Sequence, residues 1–306
     1  MLSFLARRLG QSVVILIGIT MITFILSFLV PADPVRMIAG RSATAATVES
    51  IRHQLGLDQP IPVQYARYLG NLVQGDLGRS YVQKTEVATL IWSRLPATLL
   101  LMVGAIVFEL MIGLPAGIYA AARRGRIADK SVMIMSFAGV SAPQFVVGLL
   151  LIYVFANLLD WFPLGGYGSL SHLILPALTL GIAGGGWYSR ITRSSMIDVL
   201  NQDYIRTARA KGAGERRVVL VHGLRNAALP MIAMIGLDIG IFMSGAVVVE
   251  SVFGWPGIGQ LAWQAIQRID IPIIMGVTLV AAVAIVLGNL IADIATSWFD
   301  PRVRLG

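Results

Sequence analysis

Apolar residues in this chain gather into long runs instead of alternating with polar ones. Six runs stand out, at residues 9–30, 98–122, 131–159, 174–191, 229–249 and 271–298. A bilayer's hydrocarbon core is about 30 Å thick, and a helix crosses it in roughly 20 residues at ~1.5 Å each. Each run therefore predicts a spanning helix. The first carries no charge. The second is interrupted only by Glu109, and Pro115 predicts a bend in it. The third contains Pro143. The fourth is shorter and weaker, with Pro176 near its start and Gly184, Gly185 and Gly186 at its middle. The fifth has Pro230 in its first turn and Asp238 near its centre, and the sixth holds Asn289 and Asp293 toward its end. The first run follows Arg7 and Arg8, as a signal peptide would. It exceeds the h-region length of about 7–15 residues, and no small-x-small cleavage site follows, so it predicts a retained helix.

The polar stretches carry their own patterns. Residues 44–57 predict a short helix, with Thr47 as N-cap and Gly56 at the stop. Residues 62–73 predict another, with Tyr65, Tyr68, Leu69 and Leu72 on one face. Together they predict a helical cap lying on the outer membrane surface. The chain thus divides into residues 1–30 (N-terminus and first span), 31–97 (helical extracytoplasmic segment) and 98–306 (five-helix core with a basic loop at about 198–228). No repeat of 20–50 residues and no low-complexity tract is visible.

Composition sharpens this picture. Of 306 residues, 56% are apolar and 13% charged, against about 25% charged in an average soluble domain. That excludes a disordered chain and leaves too little polar surface to coat a soluble enzyme. The net charge of +8 would suggest nucleic acid in a soluble protein, but its placement points to a membrane instead. Arg123, Arg124, Arg126 and Lys130 crowd the link between runs two and three. Arg193, Arg206, Arg209, Lys211, Arg216, Arg217 and Arg225 fill the link between runs four and five. Residues 160–173 contain no Lys or Arg, and only Arg268 follows run five. The positive-inside rule then puts the basic links in the cytoplasm, along with both termini, which carry Arg7, Arg8, Arg302 and Arg304. Arg36, Arg41, Arg52, Arg67, Arg79, Lys84 and Arg94 oppose the bias, but segments of about 60 residues translocate largely regardless of charge.

There is no cysteine, hence no disulfide, thiol nucleophile or thiolate metal site. No G-x-x-x-x-G-K-[ST] occurs, and none of Lys84, Lys130 and Lys211 follows a glycine, so the chain lacks a P-loop. HExxH is absent too, and His53, His172 and His222 fall in three separate links, which argues against a metal site. Ser141, in Gly139-Val140-Ser141-Ala142 before Pro143, fits a helix-packing device better than an intramembrane hydrolase, since no triad partner accompanies it. Gly113/Gly117, Gly181/Gly185 and Gly236/Gly240 stand four apart within apolar runs, a spacing that lets helices approach closely. Ionisable groups inside a membrane are costly and so are functional candidates. Glu109, Asp238 and Asp293, with Asn289, are candidates for a translocation path. Bland readings compete: Asp293 could pair with Arg302 or Arg304, and Asp238 could face a neighbouring helix through its glycine stripe. A proton relay through the three acids, in an ion-coupled secondary transporter, is a further reading. The lack of an inverted repeat weighs against it.

The basic link is the most informative stretch. Met196, Val199, Leu200, Tyr204 and Ile205 form an apolar stripe at helical spacing, with Arg206, Arg209 and Lys211 off it. Gly212 and Gly214 break the helix, and residues 215–225 resume it. Such a hairpin could rest on anionic lipid or dock a cytoplasmic partner. Here the residues become recognisable. Thr207-Ala208-Arg209-Ala210-Lys211-Gly212 and Leu229-Pro230 resemble the signature loop of bacterial ABC-importer permeases, with Arg206 in place of that motif's glutamate and a longer gap to the proline. Both departures resemble the dipeptide/oligopeptide/nickel permease family. So do Leu55-Gly56-Leu57-Asp58-Gln59-Pro60, Gly75-Asp76-Leu77-Gly78, Leu224-Arg225-Asn226-Ala227, and Glu250-Ser251-Val252-Phe253-Gly254-Trp255-Pro256-Gly257-Ile258-Gly259. The large outer segment resembles the "B" member of the permease pair.

The resemblance implies an all-α integral membrane protein with six transmembrane helices and the type I ABC-importer permease fold. It implies a second homologous permease, two ATPase subunits that bind ATP and Mg, and an extracytoplasmic solute-binding protein. It also implies a bacterial or archaeal cytoplasmic membrane, a chain that is not itself an enzyme, and no cofactor within it. The loop Arg206, Thr207, Ala208, Arg209, Ala210, Lys211, Gly212, Ala213, Glu215, Arg216 and Arg217 would couple to the ATPases, with Lys211 and Arg216 against acidic groups. Glu250, Phe253, Trp255, Pro256 and Gly257 mark the family's segment after the fifth span. The family carries dipeptides, longer peptides, glutathione, nickel chelates and oligosaccharides.

Overall fold

The computed structural model describes residues 2–29, 35, 39 and 43–299. Arg36, Arg41, Arg302 and Arg304 lie outside these residues. Among the described residues the fold is helical, and one isolated bridge between Arg79 and Glu86 is its only β pairing. Helix α1 is Leu2–Leu29. Helices α2 (Ala45–Leu55) and α3 (Ile61–Val73) follow. The cap of α2 is Thr44, not Thr47: its hydroxyl accepts from the Thr47 N–H at 3.3 Å. Gly56 ends that helix at φ +66°.

The spans are longer and more broken than the apolar runs suggest. Helix α4 covers Val87–Ala122, with Pro96 and Pro115 inside it. The third run is two helices, α5 (Ile127–Ser141) and α6 (Gln144–Leu151), the latter continuing in wider turns through Ile152–Leu158. They meet at 101°. Pro143 supplies no N–H and disfavours a helical residue before it, and Ala142 is accordingly extended. Helix α7 runs Leu170–Leu200, well past the fourth apolar run. A basic hairpin follows: α8 (Asp203–Ala210), α9 (Glu215–Arg217), a wide-turn stretch Val218–Gly223, and α10 (Leu224–Ala227). Helix α11 (Leu229–Met243) stops short of the fifth run's end, because Gly245 turns the chain at φ +98°. Helices α12 (Val247–Phe253), α13 (Ile258–Arg268) and α14 (Ile271–Phe299) complete the chain. Among the described residues four helices are long and apolar enough to span, and the number rises to six when each of the two bent pairs is taken as one span.

Helices in lipid gain little from apolar burial against each other, so close backbone packing must hold them. The glycines provide it. A Cβ on Gly113 would lie 2.3 Å from that of Tyr188, and one on Gly117 2.5 Å from that of Thr192. From the other side, Gly181 admits Phe108 and Gly185 admits Ile112. The α4 and α7 pairs thus face each other along one seam. A second seam joins α11 to α14, where Gly236 meets Ala292 and Gly240 meets Ile285. Helix α1 stands apart, with Val14 and Ile22 exposed. It is tied to α14 by an Arg8–Asp293 ion pair at 2.8 Å. Helix α3 docks on it through Phe24, Tyr65 and Tyr68, and the Tyr65 hydroxyl donates to the Ile17 carbonyl.

Candidate functional site

The basic hairpin is anchored from beneath and open above. Ile205 and Val218 are buried, and Ala227 packs with Met196 of α7 in one apolar cluster that also takes in Leu200, Val219 and Leu224, so the apolar stripe seats the hairpin on the helix that leads into it. Asn226 donates to the Tyr204 hydroxyl at 2.7 Å, closing the hairpin sideways. The turn is a Schellman closure: the Gly212 N–H donates to Arg209 O at 2.9 Å and the Ala213 N–H to Ala208 O at 3.2 Å. It requires a left-handed residue, and Gly212 has φ +82° with no atom near its missing side chain. Arg209 reaches across the turn to Glu215 at 2.5 Å, and this guanidinium holds the Glu215 carboxyl below its ordinary range. A depressed carboxylate stabilises above the unfolded value and loses that contribution as pH falls through the folded one. The exposed clasp therefore loosens only in acid and weakens with salt. Arg206 pairs with Asp203 within α8. Lys211, Arg216 and Arg217 are exposed and form no ion pair among the described residues.

Two features lie where the hairpin meets the spans. Arg193, near the end of α7, holds Asp129 at the start of α5 with two hydrogen bonds of 2.5 and 2.7 Å, and the Gly125 N–H adds a third at 2.8 Å. A cleft of about 230 Å³ lies between the hairpin and the ends of α4 and α7, lined in part by Arg124, Leu200, Arg209 and Glu215.

Glu109, Asp238, Asn289 and Asp293 do not form one site. Asp293 belongs to the pair with Arg8, and Asn289 is half-buried on the same helix. Glu109 and Asp238 do meet, with Tyr188 as third member. The Tyr188 hydroxyl donates to Asp238 Oδ2 at 2.5 Å. Asp238 therefore faces α7, while the glycines beside it face α14. Glu109 is only 2% exposed, and its carboxyl fits against Gly184, where a Cβ would collide with it. Tyr188 gave no signal in the sequence, being one tyrosine in an apolar helix. Arg190, lying over the Phe137 and Trp187 rings at 4.6 and 5.0 Å, was readable as a charge at the tail of run four. Ser141 ends α5 just before the Pro143 break.

The segment after α11 is a tight knot at the end opposite the hairpin. Trp255 is fully buried and donates its indole N–H to Ala97 O at 2.9 Å. Phe253 is buried, Pro256 half-buried, and the Gly166 N–H donates to Phe253 O at 2.7 Å. Glu250 is fully buried and accepts from the Gln260 N–H at 2.7 Å, in the first turn of α13. It therefore caps a helix, where the N-terminal N–H groups favour an anion. Gly257 leaves room for its carboxyl. Glu250→Ala is expected to cost about 1–3 kcal/mol by leaving a buried donor unpaired, seen as a lower melting temperature. Glu250→Gln, which keeps an acceptor, is expected to cost less. Asp270, just before run six, plays a similar part. It accepts from Ser80 at 2.5 Å and from the Tyr81 and Val82 N–H groups, fixing the loop before α4 onto α14.

The comparisons agree with this architecture. Residues 113–305 match the family of binding-protein-dependent transport system inner membrane components, and residues 1–102 match the N-terminal region of such membrane components. The chain is 45% identical to the oligopeptide transport system permease protein AppB of Bacillus subtilis, over 99% of this chain and 100% of that one. It is 42% identical to the glutathione transport system permease protein GsiC of Escherichia coli K12, over 99% of each. Among solved structures, the inward-facing methionine ABC transporter MetNI superposes with a TM-score of 0.57 at 19% identity, over 69% of this chain and 96% of that one. A second crystal form gives 0.58 at 16%, with the same coverage. That likeness concerns the fold. Six spans, the seams and the exposed basic hairpin thus sit in a multi-pass inner-membrane permease, and the chain belongs to the family of binding-protein-dependent transport system inner membrane components.

Proposed function

We propose that the chain is one half of a permease pair that imports small peptides, glutathione among them, into a bacterial or archaeal cytoplasm. Two partner ATPases drive alternating access, and a solute-binding protein delivers from the other side. The observation that carries this reading is the hairpin. It is seated on buried Ile205 and Val218, closed by Gly212, and presents exposed Lys211, Arg216 and Arg217, which form no ion pair among the described residues. A chain without a P-loop needs energy from elsewhere, and a rigid hairpin continuous with α7 and α11 passes a push to both as a rigid-body shift. Lys211 and Arg216 contact acidic groups of the ATPase. The basic end, and with it both termini, faces the cytoplasm. Glu109 and Asp238 border the path, whereas Asp293 with Arg8 fastens α1. ATP and Mg stay with the partners, and the chain holds no cofactor.

Co-expression with its neighbouring permease, ATPases and binding protein, followed by reconstitution, tests this. Labelled oligopeptide or glutathione is expected to enter proteoliposomes only with ATP and all partners present. Uptake by this chain alone under a pH gradient would overturn it in favour of an ion-coupled carrier.

A further inference from the structure

Arg190 is held inside the membrane without a counter-charge. Its guanidinium lies over the Phe137 and Trp187 rings, at 4.6 and 5.0 Å. It has no ion pair and no hydrogen bond among the described residues. The acids that touch its neighbours are engaged elsewhere, Asp129 by Arg193 and Asp238 by Tyr188. The rings attract the cation, but they leave its five N–H donors without an oxygen.

Depth excludes the usual remedy. An arginine near a helix end reaches back to the lipid headgroups. This one points the other way. The Arg193–Asp129 pair joins α7 to the start of α5, next to the basic link. Phe137 stands eight residues beyond Asp129 along α5, and Trp187 stands six before Arg193 along α7. At ~1.5 Å per residue both rings are rooted roughly 9–12 Å deeper in the bilayer than that pair, and the guanidinium lies against both.

The surface around Arg190 is not a lipid surface. Helix α7 exposes only Leu170, Trp187, Ser194 and Asp198. The last three, with half-buried Arg190, are spaced three or four residues apart and so share one stripe. The other long spans expose apolar side chains, such as Val103 and Met111 on α4 and Leu287 and Ile291 on α14. The α7 stripe instead offers an indole, a cation, a hydroxyl and a carboxylate, on the least apolar of the four long spans. A stripe of that kind inside a membrane faces water or a polar group, not acyl chains.

We propose that Arg190, flanked by Phe137 and Trp187, binds the carboxylate of the solute in transit, which for a peptide is its carboxyl terminus. A guanidinium fork matches a carboxylate with two parallel hydrogen bonds, and the two rings hold the long side chain in place for it. Every peptide presents this group whatever its side chains, so one arginine serves a sequence-tolerant path. The assignment rests on the importer reading, and its first test does not use uptake.

The probe is trialanine, with trialanine amide as control, added to the chain purified with its permease and ATPase partners. Hydroxyphenylglyoxal, a water-soluble arginine reagent, is then applied, and mass spectrometry of the digest reads modification at Arg190. Arg190 is expected to react, and trialanine at saturation is expected to abolish the reaction while the amide leaves it unchanged. An unreactive Arg190, or equal protection by acid and amide, overturns the proposal. Reaction only when the second permease is omitted marks a contact between subunits, and protection by phosphatidylglycerol in place of peptide marks a lipid site; either result overturns it too. In proteoliposomes with all partners, Arg190→Gln is expected to slow ATP-driven uptake of trialanine about tenfold more than uptake of the amide, as for loss of a charge-assisted contact. The same binding protein serves both forms, so its own preference cancels, and equal slowing of the two peptides overturns the assignment. If the native complex imports neither peptide, the importer reading fails, whereas the site is decided by protection at Arg190.

Discussion

Gly113→Leu is expected to yield no folded permease. The argument is steric. An atom at the Cβ position would lie 2.3 Å from Tyr188 Cβ and 2.9 Å from the Gly185 carbonyl oxygen. Neither neighbour is the end of a flexible side chain. One is the root of a fully buried tyrosine and the other is backbone, so relief requires α4 and α7 to part. Overpacking in a well-packed interior costs about 1–3 kcal/mol and sometimes more. Here even alanine introduces the clash, and leucine extends it along the α4–α7 seam. A total stability of about 5–15 kcal/mol leaves little margin for that. The check is the yield of monodisperse, detergent-solubilised protein. Gly18→Leu is the control: it puts the same residue in another apolar helix, where nothing lies within 4 Å of the glycine, and is expected to be tolerated. Normal yield from Gly113→Leu would show that the seam does not hold the fold.

That seam marks how far the sequence could be read. The spacing of Gly113 and Gly117, and of Gly181 and Gly185, announces close approach, but spacing alone names no partner. Only the structure shows that these pairs face each other, and that Gly184 makes room for Glu109 and Gly186 for the Ser136 carbonyl of α5. The triple glycine that made run four look weak is the place where α4 and α5 both meet α7. Apolar runs located the spans because every backbone group in lipid must be paired within its helix. They misjudged the ends because helices continue past the apolar part: Arg193 lies inside α7 yet outside its run. Proline positions were legible, but the 101° turn at Pro143 was not, since a proline permits a break without setting its angle. Glu250 was legible as a family residue, and its capping role was not, because its donor is ten residues away across a turn. Tyr188 was invisible for the same reason: what matters is Asp238, 50 residues on.

Deletion of residues 208–217 is expected to abolish co-purification of the ATPases while leaving the six spans inserted. The hairpin's outer turn lies beyond the buried anchors Met196, Val218 and Ala227, so its removal exposes little apolar surface. Copurification at native levels after the deletion would sink the docking role. Gly212 then separates two causes. Its site is open within this chain, so a side chain there meets nothing of the permease itself. What remains is backbone strain, since φ +82° costs a β-branched residue about 1–3 kcal/mol while asparagine tolerates the left-handed region far better. If the turn's shape is all that matters, Gly212→Asn should keep ATPase activity coupled to uptake and Gly212→Val should lose most of it. If the ATPase surface approaches the Gly212 backbone closely, both variants fail alike, because any Cβ blocks that approach. We expect the second pattern. The Schellman bonds to Arg209 and Ala208 and the Arg209–Glu215 clasp already hold the turn from both sides, which leaves an open face at the tip of a basic hairpin to be filled by the partner that moves it.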